Sequence, residues 1–526
     1  MTARERSSTR TSDEHLPGRS LWLVTICLAA CGGGSTPTGT PRTSLGVVSG
    51  ASQTDTCLSL LQPLVVQLTG PGAAGQPIQF QTTVDKDARS PVILQRTDTA
   101  SIPFGTPNLP AMNLVDTTDA NGKATVYMRL NEDAPRTALI SVSVPALGIT
   151  DTVAETVMPG APRGIFRQRD TAVAIGSTDS LHAYVYDQFG NPRLADPIAY
   201  QAVSGPITVS GTTVTGTSLG LAVIAATARG VSTPVPTNVV VVPVGTIAFG
   251  ADTGVVVSNL DGSQATVLAP ASNPGNVRWA PDGQSIVYDQ GSDGFSTGSA
   301  ALHVVRISDG TMTTIDSSNI AHYWPQFSRD GTWLYWTGIL NGINGYSSVL
   351  WRAHPDGTMK DSIPGTDGSW TSSPSPDGSQ LVYSNLTYSG LGIFTLGTGT
   401  AMTLPVNAYA PRWAPSGTAI AYLAIGSGAG GPIDIINADG TGKRVIKTNT
   451  YDRGVDWSPD GQWLLAQNDQ TAAFDIINVN TGMTLPLPFT NSNTWSPSWG
   501  PAGAYPISHA DPMAPRAHPR GAPHRR

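Results

Sequence analysis

The sequence predicts an all-β chain, in which two β-sandwiches precede a six-bladed β-propeller. Apolar and polar residues alternate in short runs along most of the chain, which is the period of strands rather than of helices. The 526 residues include 57 glycines and 42 prolines, which are residues that form turns. In the second half, a hairpin built from a Trp, a Pro-Asp-Gly turn and a short apolar run recurs six times in near-copies. Such a repeat indicates a ring of similar sheets.

The N-terminal segment predicts export and lipid attachment. An apolar run of ten residues, 21–30, follows a polar leader; it is too short to span a bilayer but suits a signal peptide. It ends in Leu-Ala-Ala-Cys before a Gly/Ser/Thr/Pro stretch, and this resembles the bacterial lipoprotein signal. The resemblance implies a signal peptide over 1–30, a lipid on Cys31 that contacts the membrane, a flexible tether over 31–57 and location in the outer membrane. An ordinary signal peptide with a chance Cys is the alternative.

Two sandwich modules are predicted over 58–158 and 159–243. Strand-like runs alternate with turn residues at the intervals of β-sandwiches. Asn121-Gly122 suits a tight hairpin turn, and the second module carries Gly190-Asn191-Pro192 followed by the run GLAVIAATA. Both segments resemble bacterial Ig-like domains of the invasin type.

Two features of these modules, and Cys57 at the end of the tether before them, are interpreted as having no catalytic or metal-binding role. The pattern G-x-S-x-G at 216–220 lies among Thr-rich strands without the strand-to-helix context of a nucleophile elbow. Asp119-x-Asn121-Gly122 lacks the other ligands of a calcium loop, so a plain turn is expected. Cys57 is a solitary thiol with no His pattern beside it.

The repeats over 244–505 predict the propeller. The glycines of the six hairpins recur with a mean spacing of 44 residues, and a second turn precedes each by 21 residues in five units and 18 in the other. A period of roughly 40 to 50 with four short strands per unit is typical of propeller blades. The first unit begins mid-repeat and the last ends after TWSPSW, so the two ends are expected to complete one blade. The recurrent Trp, as at Trp279 and Trp457, is expected to pack between blades.

The hairpin and its upstream Asp-Gly turn resemble those of the TolB-like, WD-repeat-like β-propeller. The quoted residues are WAPDGQSIVY and WSPDGQWLLA, with ADGT or PDGT before the hairpin. Pro374 replaces the Trp of one unit, and Ser416 and Ala502 replace the turn Asp of two others. TolB's own N-terminal α/β domain is absent from the pattern. Residues 506–526 are rich in Pro, Arg and His without periodicity and predict a disordered tail.

A candidate ligand-binding ring follows from the propeller register. Four residues before the recurrent Trp, four of the six units carry an aromatic residue, and a fifth carries an Arg. Flat aromatic faces with one cation suit stacking on sugars or gripping a peptide. Packing beneath the loops is the alternative. With two neighbours, the predicted ring comprises His322, Tyr323, Trp324, Trp370, Tyr409, Arg453 and Trp495.

The function predicted from these features is binding rather than catalysis. Charged residues make up 13% of the chain and the net charge is −7, so nucleic-acid partners are not expected. No catalytic residue, cofactor or metal site is predicted. We expect a lipid-anchored envelope protein whose propeller docks an envelope protein or a cell-surface glycan while the Ig-like modules act as spacers. A surface adhesin, and less favourably a propeller hydrolase, are the alternatives.

Overall fold

The protein folds almost entirely into β-strands. The computed structural model describes residues 42–82, 92–96, 113–131, 134, 136–231, 234–271, 274–290, 301–318, 320–342, 345–385, 387–425, 431–501 and 503–504. Residues 1–30, Cys31 and 506–526, with their predicted roles, lie outside the described residues. The chain forms two compact units: 1–53, 60–129 and 139–155 make the first, and 54–59, 130–138 and 156–526 the second. Within the described residues, no helix is long and apolar enough to cross a membrane.

The first unit contains two antiparallel groups of strands. The first nine strands and a 3₁₀ turn are β1 (Ser44–Ser49), β2 (Thr54–Thr56), β3 (Leu64–Thr69), β4 (Pro77–Thr82), β5 (Val92–Gln95), β6 (Asn113–Thr117), β7 (Lys123–Leu130), β8 (Arg136–Val144), η1 (Pro145–Leu147) and β9 (Ile149–Met158). One sheet has the order β1-β3-β7-β5, and β9, β8, β4 and β6 lie side by side in another. Alternate residues of β4 and β7 are buried, which gives each sheet one apolar face.

The prediction of a flexible tether over 31–57 is wrong for residues 42–57, which is the part that the structure describes. Residues 44–49 form an edge strand that pairs with β3, and Thr54–Thr56 pair in parallel with Thr156–Met158 in the second unit. The Gly, Ser and Thr content of 31–57 suggested a linker. Leu45 and Val47, however, alternate along β1 with their side chains half-buried, and that is enough to hold an edge strand.

The second unit begins with three small sheets before the repeats. Its strands here are β10 (Pro162–Phe166), β11 (Thr171–Ala174), β12 (Thr178–Ser180), β13 (Tyr184–Asp187), β14 (Pro192–Arg193), β15 (Ile198–Ser204), β16 (Ile207–Ser210), β17 (Thr213–Gly216), β18 (Gly220–Ala228) and β19 (Val235–Val242). The sheets have the orders β11-β19-β18-β15, β12-β17-β16 and β10-β13-β14. Val214 and Ile224, on different sheets, share one buried core. Val240 and Val242 of β19 pack instead with Trp463 and Leu485 of the repeats, so this part is fixed directly to the propeller.

The repeats form six four-stranded antiparallel sheets. Their strands are β20 (Thr246–Ala251), β21 (Gly254–Asn259), β22 (Thr266–Ala269), β23 (Arg278–Trp279), β24 (Ser285–Gln290), β25 (Ala301–Arg306), β26 (Met312–Asp316), β27 (Ala321–Phe327), β28 (Leu334–Gly342), β29 (Gly345–Ala353), β30 (Asp361–Ser362), β31 (Ser369–Pro374), β32 (Gln380–Asn385), β33 (Leu391–Thr395), β34 (Thr400–Leu404), β35 (Ala408–Trp413), β36 (Ala419–Ala424), β37 (Gly431–Asn437), β38 (Arg444–Trp457), β39 (Trp463–Asn468), β40 (Phe474–Asn478), β41 (Thr484–Leu487) and β42 (Thr494–Trp499). The long β38 is the outer strand of the sheet β35-β36-β37-β38 and the inner strand of the sheet β38-β39-β40-β41.

The six sheets close into a ring, as the sequence predicts. The last strand, β42, pairs with β20 and completes the sheet β22-β21-β20-β42. The inner strands contact one another in the order β42, β23, β27, β31, β35 and β38, and β38 contacts β42 again. The closing sheet takes strands from both ends of the repeat region, and β42 supplies the inner strand that makes it four-stranded like the other sheets.

The recurrent aromatic residues pack between neighbouring sheets, which confirms the predicted packing. Trp279 lies in one buried cluster with Val255 of the closing sheet and Tyr288 of the next. Trp457 likewise joins Leu423 of one sheet to Leu464 of the next in a single cluster. The core of the propeller is therefore a set of inter-sheet layers around the ring.

The predicted turn chemistry is also present. Gly283 has a φ of 69°, and the Asp282 carboxylate accepts a hydrogen bond of 2.8 Å from the Gln284 N–H. In the unit where Ser416 replaces the Asp, its hydroxyl accepts the equivalent bond from Thr418 at 3.3 Å. A side-chain oxygen at this position therefore holds the turn in either form.

Candidate functional site: the central channel

Most residues of the predicted aromatic ring are packed into the propeller. Tyr323, Trp324 and Trp370 have 8%, 6% and 6% of their surface exposed and form an apolar cluster with Ile339. The Tyr323 and Trp370 ring centroids are 5.8 Å apart, and Trp324 meets Tyr409 edge-on at 5.5 Å. These rings therefore pack against one another inside the propeller. Binding of a ligand to them remains a prediction.

The other members of that ring have separate environments. His322 is 1% exposed, and its Nε2 lies 3.5 Å from a carboxylate oxygen of Asp316. The half-buried Trp495 donates its indole N–H to the Pro274 carbonyl at 2.5 Å. The side chain of Arg453 lies outside the described part of the structure. The described members therefore do not present one continuous exposed face.

A β-bulge interrupts several inner strands three residues before the recurrent aromatic. Trp324, Ala410 and Ser496 have φ values of 58°, 49° and 50°, and Gly454 has 92°. The strand register shifts at these points, for example between Tyr409 and Arg412 in β35. Positive φ is costly for a residue as bulky as Trp, and bulges re-aim the side chains that follow. Strained backbone of this kind concentrates at functional sites.

The residues after the bulge line the centre of the propeller. Each inner strand contributes the residue that immediately precedes the recurrent aromatic or its Pro replacement. We call these six residues the channel ring: Arg278, Gln326, Ser373, Arg412, Asp456 and Ser498. All six line one cavity of about 170 Å³, which lies at the end of the inner strands where the Pro-containing turns begin. This is the opposite end of those strands from the aromatic cluster.

Three members of the channel ring tie neighbouring sheets together. In each case a side-chain oxygen accepts a hydrogen bond from the backbone N–H of the recurrent aromatic on the next sheet. The pairs are Ser373 with Trp413 (3.2 Å), Asp456 with Trp499 (2.8 Å) and Ser498 with Trp279 (3.3 Å). We call these contacts inter-sheet latches.

The two arginines of the ring cannot form this latch, because a guanidinium has donors and no acceptor. Arg278 and Arg412 are nevertheless buried, with 5% and 3% of their surface exposed. Their Nη1 atoms donate only to backbone carbonyls: Val277 (2.7 Å), Pro497 (3.3 Å), Pro411 (3.2 Å) and Ser372 (3.3 Å). The Nε atoms of both, and Nη2 of Arg412, have no hydrogen-bond partner among the described residues.

The electrostatics of the channel are dominated by these two cations. Burial lowers the pKa of Arg278, and Asp456 and Asp289 oppose that effect. Burial also lowers the pKa of Arg412 well below its usual value; Arg278 adds to the effect and Asp456 opposes it. Because guanidinium stays protonated in proteins, the ring holds two positive charges against the single carboxylate of Asp456. The channel ring therefore carries formal charge +1, and the exposed Arg329 adds a third cation to the cavity lining.

Sequence analysis missed the channel ring, although one signal was present. The dipeptide Arg-Trp occurs at the same repeat position in two units, 278–279 and 412–413. A cation that recurs at a position where the other units place Gln, Ser or Asp indicates a feature of the channel. This position could be assigned to the channel only from the structure, because the register shift at the bulge determines which residues face inward.

The other features singled out in the sequence have the following environments. Cys57 is buried and donates its thiol to Asp187 at 3.5 Å; burial, with Asp187, raises the thiol pKa to about 11. Gly216 ends β17 and Gly220 begins β18, so Ser218 lies between strands. Gly122 has a φ of 76° in a plain hairpin turn. Within the described ranges, no group of three or more His, Cys, Asp or Glu side chains is arranged to hold a metal ion.

Strand pairing and channel together define an all-β protein with a closed six-bladed β-propeller whose channel is positively charged. No protein-family model matches the chain. A relative in Agrobacterium fabrum, the uncharacterized protein Atu1656, is 30% identical over 112 residues, which are 20% of this chain and 33% of that protein. The chain thus spans about a third of that relative's length.

Solved structures that resemble the chain include TolB from Acinetobacter baumannii. The identity is 17% and the TM-score 0.42, and the match covers 58% of this chain and 83% of that one. The β-propeller domain of Cps50 (Swd1) from Myceliophteria thermophila is another, with 12% identity, a TM-score of 0.33, and coverage of 46% and 81%.

Proposed function

We propose that this chain is a lipid-anchored cell-envelope binding protein whose propeller docks a protein or glycan at the channel mouth. In this proposal Cys31 carries the lipid, and two Ig-like modules are spacers between the membrane and the propeller. The observation that carries the proposal is the pair of buried arginines in the channel, Arg278 and Arg412. Burying a cation without full hydrogen bonding destabilises a fold. The presence of two such cations at positions where Ser or Asp would latch the sheets favours a binding role.

Binding is favoured over catalysis by how the channel groups are used. Asp456, the one carboxylate of the channel ring, already accepts hydrogen bonds from Ser498 and Trp499 at 2.9 and 2.8 Å. A general base must be free to take a proton from substrate, and this carboxylate is committed to the ring itself. We therefore propose no reaction at this site.

Photo-crosslinking at the channel mouth tests the proposed docking. Arg329 is exposed and lines the cavity, whereas Arg306 is exposed on β25, away from the cavity lining. In two variants of the full chain, a photoreactive amino acid replaces one of these arginines. Each variant is expressed in bacteria that export it to the cell envelope. We expect a crosslinked partner from position 329 and not from 306. Identical products from both positions, or none from 329, would contradict docking at this mouth.

The lipid anchor has a separate test. Cys31→Ser removes the thiol that would receive the lipid, while Cys57→Ser removes the buried thiol and serves as the matched control. We expect only the first change to move the protein from the membrane to the soluble fraction. Retention of the Cys31→Ser protein in the membrane fraction would contradict lipid anchoring.

A further inference from the structure

We propose that the channel ring binds a carboxylate group of the docked ligand between Arg278 and Arg412. The inference rests on the proposed function of the channel and specifies the chemistry that enters it. Both guanidiniums line the same cavity, and both are at least nine-tenths buried. A carboxylate matches the planar fork of a guanidinium and can accept two parallel hydrogen bonds from it.

Unused donors point to such a group. The Nε atoms of both arginines and Nη2 of Arg412 are buried without a hydrogen-bond partner among the described residues. Buried polar atoms in native proteins nearly always have partners, so unpartnered donors on side chains that line a cavity favour a ligand there. The donors are cationic, which makes an anion the complementary group.

The charge of the channel favours a monoanion. Arg278, Arg412 and Asp456 give the channel ring formal charge +1, which a single carboxylate neutralises. The third cation of the cavity lining, Arg329, is exposed, so solvent and salt screen its charge. A phosphate dianion would give the channel ring a net negative charge and would face the carboxylate of Asp456, which the inter-sheet latch to Trp499 holds in place. The cavity of about 170 Å³ has room for a carboxylate together with a few water molecules, each of which occupies about 30 Å³ in the liquid.

Turns that contain proline, and therefore have restricted backbone freedom, form the entrance to the cavity. Of the six prolines that line the cavity, five lie in these turns: Pro281, Pro376, Pro415, Pro459 and Pro501. Proline fixes φ, so these turns lose little entropy when a ligand binds. A cavity of about 170 Å³ suits one side chain or chain end rather than a folded surface. The inferred ligand is thus an acidic side chain, a C-terminal carboxylate or a sugar acid.

The tryptophans around the cavity supply a direct readout. Trp279, Trp413, Trp457 and Trp499 line the same space as the arginines, so an anion bound there should change their fluorescence. The experiment titrates the full chain with sodium acetate at constant ionic strength, balanced with sodium chloride. Methyl phosphate at a pH where it is a dianion is titrated in parallel. Arg278→Gln and Arg412→Gln are the test variants, and Arg306→Gln, at an exposed Arg, is the matched control.

We expect a saturable response to acetate with at least a tenfold loss of affinity in each channel variant and no change in Arg306→Gln. Arg412→Lys keeps the positive charge but loses the planar fork. We expect its affinity for acetate to lie between those of the wild type and Arg412→Gln. Equal responses to acetate and chloride would overturn the proposal. So would unchanged affinity in both channel variants that still melt cooperatively, or tighter binding of methyl phosphate than of acetate.

The outcomes separate this inference from the proposed function. Acetate binding without a crosslinked partner at position 329 would support the carboxylate site and contradict docking of a larger ligand. A crosslinked partner that is captured equally well by the wild-type chain and by Arg412→Gln would support docking and overturn the carboxylate site.

Discussion

The carboxylate of Asp456 accepts a hydrogen bond of 2.8 Å from the backbone N–H of Trp499 on the neighbouring sheet. Trp499 belongs to β42, the strand that closes the ring against β20. The same carboxylate oxygen accepts the Ser498 hydroxyl at 2.9 Å, and its charge faces the channel arginines. One side chain therefore fastens the closing strand and balances part of the channel charge.

We expect Asp456→Ala to lower the free energy of unfolding of the propeller by about 3 kcal/mol, because it leaves buried donors unpaired and the arginines without a counter-charge. Asp456→Asn keeps an acceptor oxygen and separates the two effects. Urea denaturation followed by Trp fluorescence measures both variants.

The matched control is Asp460→Ala, which removes an exposed turn carboxylate from the same sheet. Asp460→Ala should lower the free energy of unfolding by less than about 1 kcal/mol, because a hydrogen bond at an exposed turn makes a small net contribution. If Asp460→Ala is as damaging as Asp456→Ala, the latch is not the special contact that the geometry indicates. If Asp456→Asn is as damaging as Asp456→Ala, the charge matters more than the hydrogen bonds.

Arg278→Ser is expected to stabilise the protein. Serine at this position would match Ser373 and Ser498, which latch neighbouring sheets, and the change removes a buried cation with an unpartnered Nε. The remaining channel charges, Arg412 and Asp456, are then balanced. We expect a gain on the order of 1 kcal/mol, read as a rise in the thermal midpoint. Arg306→Ser, at an exposed arginine, should leave the midpoint unchanged. A lower midpoint for Arg278→Ser would mean that the arginine serves the fold rather than a ligand.

Ring closure could be predicted from the sequence because its signal is local and repeated. The first unit starts mid-repeat and the last stops after Trp499, so the two fragments had to share a sheet. The inner-strand bulges could not be predicted: nothing in the local sequence of Trp324 favours its φ of 58°. That conformation is imposed by pairing and packing across sheets, as in the edge-on contact between Trp324 and Tyr409. From the sequence alone, where the bulge could not be seen, the aromatic residues were assigned to the channel surface and the arginines were not.

The closing strand provides a further test of the ring. Trp499 is 7% exposed and packs with Leu465 and Phe474 of one sheet and Phe249 of the other. Trp499→Ala should cost about 3 to 5 kcal/mol, as is usual for a large aromatic residue removed from a core. Trp333→Ala is the control, since Trp333 is half-buried and stacks on His354 at 4.4 Å outside the ring closure. Equal losses in urea denaturation would contradict a special role for the closing strand.

In the first unit, the pH dependence of stability should follow Glu155. This residue of β9 is fully buried, and burial raises the pKa of its carboxyl from 4.5 to about 7, although its Oε2 accepts a hydrogen bond of 2.7 Å from the Gln53 N–H. The folded state therefore binds the proton more tightly than the unfolded state. The resulting stability is full below pH 4.5 and is lost as the pH rises towards 7.

Hydrogen exchange of the β9 amides, expressed as protection factors, measures this effect at pH 5 and pH 8. We expect protection to fall by up to roughly 100-fold at the higher pH, because each unit of pKa shift corresponds to about 1.4 kcal/mol. Glu155→Gln cannot ionise and should make protection independent of pH, whereas Asp151→Asn, at an exposed carboxylate on the same strand, should leave the wild-type dependence intact. A wild-type β9 that is equally protected at both pH values would show that Glu155 ionises without cost, because water or a local opening reaches it.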